Sequence, residues 1–205
     1  MKAILQTLFG LVLLSIGGGS VLMAAELNAR FMLSGGGSFL LDRHVQDLAG
    51  ASYPAQFTNK FQLGALTAID LHAPLALEVG FRNEWSEFHL QGGGLLPDGR
   101  SINFTVQQIF CNAAYNTPYS DGGLRLFASG GAGLRRVNPE SGIGSDVGWS
   151  LNFGGGLEAR PSRRFSIRVE MRDFVGDMPR LVLSQSPRGL LHDIQASIGL
   201  IVHVR

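Results

Sequence analysis

The chain has 205 residues, room for one domain or a small pair, with 28 glycines, 45% hydrophobic and 16% charged residues. This composition excludes a disordered chain, and a formal net charge of +1 excludes a basic field for nucleic acid or an acidic tail. Cys111, the one cysteine, excludes an internal disulfide and supplies no CxxC or metal-ligand cluster.

The N-terminus reads as a signal peptide over residues 1–25, leaving a mature chain of residues 26–205. Lys2 supplies the positive start, Leu8 to Ile16 the apolar run, Gly17 to Ser20 the break, and Ala24–Ala25 a small-residue cleavage site. The apolar run is shorter than the roughly 20 residues a spanning helix needs. No cysteine follows it, which argues against a lipid anchor.

After the signal come long alternating segments broken by turn residues, and no amphipathic helix. They predict eight strands, near residues 30–41, 57–71, 75–88, 102–115, 123–137, 147–159, 164–175 and 191–204. Such lengths suit strands that cross a bilayer at a tilt, which takes about 9–11 residues. Connections alternate between long (residues 42–56, 89–101, 138–146 and 176–190) and short (72–74, 116–122 and 160–163). Long loops at one end and short turns at the other are the layout of an outer-membrane barrel.

The seventh strand shows the pattern most clearly. Phe165, Ile167, Val169 and Met171 alternate with Ser166, Arg168, Glu170 and Arg172. A period of two gives a strand two unlike faces. In the fourth strand Ile102, Phe104 and Val106 begin on one face while Ile109 and Cys111 sit on the other, so a bulge near Gln107–Gln108 is expected.

Alternation does not say which face points out, because a soluble lipocalin-like barrel shows the same pattern inverted. Three features favour an apolar face toward lipid. Large aromatics lie near strand ends, with Phe57, Trp85, Phe104 and Trp149 on the long-loop side and Phe31, Tyr115, Tyr119 and Phe165 on the other. These match interfacial girdles. Glycines crowd mid-strand positions, as at Gly130–Gly133 and Gly154–Gly156, which suits a tightly curved barrel. The polar face balances its charges. Asp70, Glu78, Glu84, Glu158, Glu170 and Asp193 meet Lys60, Arg82, Arg125, Arg135, Arg168 and Arg172, and of these Glu78, Arg82, Arg125, Arg135, Glu158, Arg168, Glu170 and Arg172 are expected to pair in a narrow lumen and fill it.

With these elements placed, the chain resembles the eight-stranded outer-membrane β-barrels, the transmembrane-domain type of outer membrane protein A. The resemblance covers essentially the whole mature chain. Its carriers are the segments at Leu75–Arg82, Ser129–Leu134, Phe153–Leu157 and Ile198–Val202. It implies an all-β, antiparallel up-and-down transmembrane barrel in a Gram-negative-type outer membrane, with periplasmic termini. The implied partners are outer-membrane lipid, the outer-membrane assembly machinery and an extracellular ligand at the loops, with no nucleic acid. Members usually end in an aromatic residue, whereas this chain ends Val204–Arg205. No peptidoglycan-binding domain follows the last strand, so cell-wall tethering is not implied.

Chemistry is sparse. His44, Ser52 and Asp47 have the residue types of a nucleophile set, but nearness in sequence is not geometry. Gly92–Gly94 lacks the lysine and helix of a phosphate loop. No catalytic, cofactor or metal residue is expected. The reading is a structural or surface-interacting barrel, against a lipid-modifying enzyme, a narrow channel or a secreted binder of a lipophilic ligand.

Overall fold

The computed structural model describes residues 28–40, 43–46, 52–58, 61–90, 101–140, 144–177 and 190–204. The expected signal peptide, much of the long loops, and the side chains of His44, Asp47, Ser52 and Phe57 lie outside what is described.

Ten strands form: β1 (Ala29–Leu40), β2 (Arg43–Gln46), β3 (Ser52–Thr58), β4 (Phe61–His72), β5 (Leu75–Leu90), β6 (Ser101–Asn116), β7 (Leu124–Pro139), β8 (Asp146–Ala159), β9 (Phe165–Asp177) and β10 (Leu190–Val204). Eight of them close a ring, β1-β4-β5-β6-β7-β8-β9-β10 and back to β1, every pair antiparallel. Closure leaves no barrel strand with an open edge.

The expected strand at 57–71 divides in two. β4 takes the place in the wall, while β3 pairs with β2 as a hairpin and with the last residues of β5, Ala55 to Leu90 through Thr58 to Glu87. The wall is thus extended inside what the sequence presents as a loop.

The ring is sheared. A row of paired residues starting at Arg30 runs through Ala68, Glu78, Asn112, Gly131, Asn152, Phe174 and Asp193, then meets β1 again at Leu40, a stagger of ten residues. Eight strands with such a stagger must tilt about 35–45°. The short turns (residues 73–74, 117–123 and 160–164) gather at one end and the long connections at the other.

Burial decides the faces. On β9 Phe165, Ile167, Val169 and Met171 are 43–63% exposed, whereas Ser166, Arg168, Glu170 and Arg172 are at most 2% exposed. The same inversion of a soluble core runs round the ring. Leu33, Val79, Leu134, Phe153 and Ile198 are exposed outside, and Gln62, Asn112, Asn152 and Gln195 are buried inside. A wall of exposed aliphatic side chains around a polar interior is stable only against lipid. A secreted lipocalin-like binder is thereby overturned, since it needs its apolar face inside.

The bulge expected at Gln107–Gln108 is absent. β6 keeps register with both neighbours from end to end, and the irregularity among these pairings lies at Asp70/His72. Phe104 is only 4% exposed and points inward, so it is not a girdle residue. The break in polarity arises because the lumen near the long-loop end takes an apolar cluster, Phe104, Val106, Val137 and Leu191, beside the buried polar residues Glu84 and Ser86.

Glycine is required where strands or side chains press closest. A side chain at Gly80 would overlap the Phe110 ring in the lumen. One at Gly156 would meet the Val169 carbonyl of the next strand.

Candidate functional site

The lumen holds the densest chemistry of the molecule. All eight charged residues predicted to line it face inward: Glu78, Arg82, Arg135, Glu158, Arg168, Glu170 and Arg172 are at most 4% exposed, and the Arg125 side chain 10%. β5 and β9 are not neighbours in the wall, so pairs between them cross the lumen. Arg168 Nη1 donates to Glu78 Oε1 at 2.7 Å, and its Nη2 lies 2.8 Å from Glu170 Oε2. Arg82 Nη2 meets Glu170 Oε1 from the β5 side. Arg172 Nε donates to the same oxygen at 2.9 Å and its Nη2 lies 3.6 Å from Glu78 Oε2. Three guanidiniums and two carboxylates thus form one cluster.

Neutral groups complete it. Arg172 donates to Asn152 Oδ1 at 2.6 Å and Ser129 Oγ at 2.8 Å, and Arg82 to Gln195 Oε1 at 2.7 Å. Arg168 lies over the Phe127 ring at 3.5 Å from its centroid, and Arg82 lies between Phe110 and Phe174 at 5.7 and 5.5 Å. Planar guanidinium suits both tasks, a forked donor to carboxylates and a flat cation on aromatic faces.

Above the cluster lies a second polar layer. Gln195 Nε2 donates to Asp193 Oδ2 at 2.6 Å and Glu84 Oε2 at 3.2 Å, and Ser38 Oγ to Glu84 Oε1 at 2.6 Å. Arg135 donates to the main-chain carbonyl of Asp177, with the carboxylates of Asp193, Asp146, Asp177 and Glu84 as its charge partners.

The short-turn mouth is covered. Arg125 Nη2 donates to Glu158 Oε2 at 2.7 Å, and Arg30 links the same oxygen at 3.5 Å to Asp70 at 2.7 Å. Tyr119, from the turn after β6, leaves the girdle expected for it and donates its hydroxyl to Glu158. Its ring is flanked by Arg125 and Arg160 at 4.6 and 5.3 Å. Burial and the bond to the Glu158 carboxylate push the Tyr119 phenol above its ordinary range, against the opposing pull of Arg125.

Among the described residues one nucleophile pairing is present. Ser166 Oγ lies 2.7 Å from His203 Nε2, while the Glu158 carboxylate stands 3.9 Å from that same nitrogen. A catalytic triad places its carboxylate on the other ring nitrogen. Ser166 is also fully buried. Among the described residues no group of three His, Cys, Asp or Glu side chains is placed to hold a metal.

The outer wall carries the remaining predicted residues. Trp85, Trp149, Tyr115 and Phe165 are 40–53% exposed, and Phe31 is half-buried. Trp85 stacks on Phe61 with centroids 6.3 Å apart, which adds Phe61 to the girdle. Cys111 is exposed on the lipid side of β6. Sequence reasoning also missed the roles of Tyr119, Arg30 and the Phe110–Phe174 pair. Phe110 and Phe174 stand on the polar face of their strands, and that misplacement was the available signal.

The chain is an eight-stranded antiparallel up-and-down transmembrane β-barrel. No family model matches its sequence, and no curated protein is similar to it. Solved structures are similar. The outer membrane protein OprG from Pseudomonas aeruginosa has a TM-score of 0.62 at 13% identity, covering 87% of this chain and 97% of that one. Neisserial surface protein A scores 0.55 at 11% identity, with 85% and 96% covered. Ail, the attachment invasion locus protein of Yersinia pestis, solved with the heparin analogue sucrose octasulfate, scores 0.55 at 13% identity, with 88% and 100% covered. At these identities the likeness is one of fold, the fold of outer-membrane barrels.

Proposed function

We propose that this chain is a structural and surface-interacting protein of the outer membrane, with a lumen blocked by its own side chains, and neither an enzyme nor a pore. The observation that carries this reading is the set of ion pairs crossing the lumen from β5 to β9, Glu78–Arg168 and Arg82–Glu170. Moving an ion past them means parting charges that are nearly dry, which costs about 3–5 kcal/mol for each broken pair. Tyr119 adds a second closure at the short-turn mouth. Any partner is then met outside the lumen, at the long loops (residues 42–56, 89–101, 138–146 and 176–190), with both termini in the periplasm.

Planar-bilayer recording tests the blocked lumen. The expected trace is flat at up to 1 M salt, and reproducible unitary steps from the unmodified chain would overturn it. Protease access to a C-terminal tag tests orientation: protection in intact cells with cleavage after outer-membrane permeabilisation is expected, and cleavage in intact cells refutes it.

A further inference from the structure

The short turn between β8 and β9 reads Arg160-Pro161-Ser162-Arg163-Arg164 and leads directly into the girdle residue Phe165. The turn has a fixed shape. Ser162 Oγ accepts from the Phe165 amide at 3.1 Å, Arg160 Nη2 donates to the Arg163 carbonyl at 3.1 Å, and the Arg164 carbonyl accepts from the His203 amide at 2.9 Å. The head of Arg160 is turned onto Tyr119. Arg163 and Arg164 are exposed, and among the described residues neither holds an ion pair. At this end Asp70 is taken by Arg30 and Glu158 by Arg125. Asp121, exposed on the adjoining turn, is the remaining described carboxylate there. Two guanidiniums with no ion pair among the described residues therefore stand one and two residues from a lipid-facing aromatic ring of the interfacial girdle.

We propose that the Arg163–Arg164 turn is a docking surface for anionic phospholipid headgroups of the leaflet at the short-turn end. The occupant follows from three facts: the sign of the charge, the forked guanidinium that matches phosphate oxygens, and the position beside Phe165 at the girdle. A soluble anion would match the charge but has no use for the girdle. The surface holds the barrel at a set depth through phosphate contacts on one side, while the opposite end is set by Trp85 and Trp149. This inference rests on the membrane reading of the fold.

Native mass spectrometry of the refolded chain, released from detergent micelles supplied with phosphatidylglycerol or phosphatidylcholine, tests it. The expected result is retention of phosphatidylglycerol over phosphatidylcholine by the unmodified chain. Each arginine near a charged surface contributes roughly a fivefold preference at low salt. The Arg163→Gln/Arg164→Gln variant should lose about thirtyfold of that preference by the same measure. Both residues are exposed, so the variant keeps the heat-modifiable band of a folded barrel. Loss of that band from the unmodified chain in lipid would refute the membrane reading itself, a different failure. Equal retention of both lipids by the unmodified chain overturns the proposal, as does unchanged phosphatidylglycerol retention by the variant. Co-sedimentation with purified peptidoglycan that the variant loses, while its lipid retention is unchanged, also overturns it and assigns the turn to the cell wall.

Discussion

Replacing Glu170 by glutamine probes the lumen cluster most directly. The Glu170 carboxylate lies 2.8 Å from Arg168 Nη2, accepts from Arg172 Nε at 2.9 Å and meets Arg82 Nη2. Three guanidiniums share it and Glu78, and all five side chains are at most 3% exposed. The amide keeps the shape and removes the charge, so three guanidiniums then face Glu78 alone. Leaving buried charge uncompensated costs about 3–5 kcal/mol, or at least a hundredfold in the folded-to-unfolded ratio. Urea unfolding in phosphatidylcholine vesicles, followed by the emission of Trp85 and Trp149, reads this as a lower midpoint at an unchanged slope. Removing Arg82 as well, in an Arg82→Gln/Glu170→Gln variant, should restore part of the loss, with a coupling of about 0.5–3 kcal/mol. A loss below about 1 kcal/mol for Glu170→Gln, with no coupling to Arg82, would refute the view that these charges close the lumen as one unit.

Three further outcomes are expected. Leu33, 72% exposed at mid-strand on β1, faces lipid, so Leu33→Arg should cost about 2–4 kcal/mol in the same unfolding assay, and a cost near that of Leu33→Ala would refute lipid contact there. Cys111 should resist a membrane-impermeant maleimide in folded, vesicle-bound protein and react in urea; rapid labelling in vesicles would place it in water. The Tyr119 phenol should ionise above the ordinary value of about 10, read as the 295 nm titration of the unmodified chain minus that of Tyr119→Phe. Since its folded value is raised, the stability it lends is present below about pH 10 and is lost as pH rises through the folded value. A difference curve centred at or below pH 10 would remove the bond to Glu158 from the account.

Strand number and position are legible in this sequence because a long strand with two unlike faces writes its period directly, as β9 does from Phe165 to Met171. The strand expected at 57–71 starts too early, since the wall strand β4 begins at Phe61 while Phe57 and Thr58 belong to β3, and the reason is related. Phe57 and Thr58 continue the alternation of β4, and both strands pair with β5, so only the other neighbour, β2 for β3 and β1 for β4, tells them apart. Phe104 was misread because position along the barrel axis, not face alone, sets the polarity of the lumen. The polar section accepts Gln108 and Asn112, and the section near the long loops accepts Phe104 and Val106. The charged lining was legible as a set but not as pairs. Arg135 bonds a main-chain carbonyl while several carboxylates share its charge, and Arg30 joins from β1 although it was not among the residues expected to pair.

The chain by itself determined the antiparallel strands, their two faces, the alternation of long and short connections, and a polar face whose charges cancel. These are local properties, carried by residues two apart or by runs of turn formers. The tertiary structure showed in the burial of each face the outward apolar wall that the aromatics, glycines and charges favoured, and it alone decided that Glu78 and Glu170 are shared by arginines across the lumen and that Tyr119 folds over the mouth. A period of two separates faces without saying which is inside. The direction is set when the ring closes, and the ten-residue stagger that closes it is the sum of eight registers that no single segment contains.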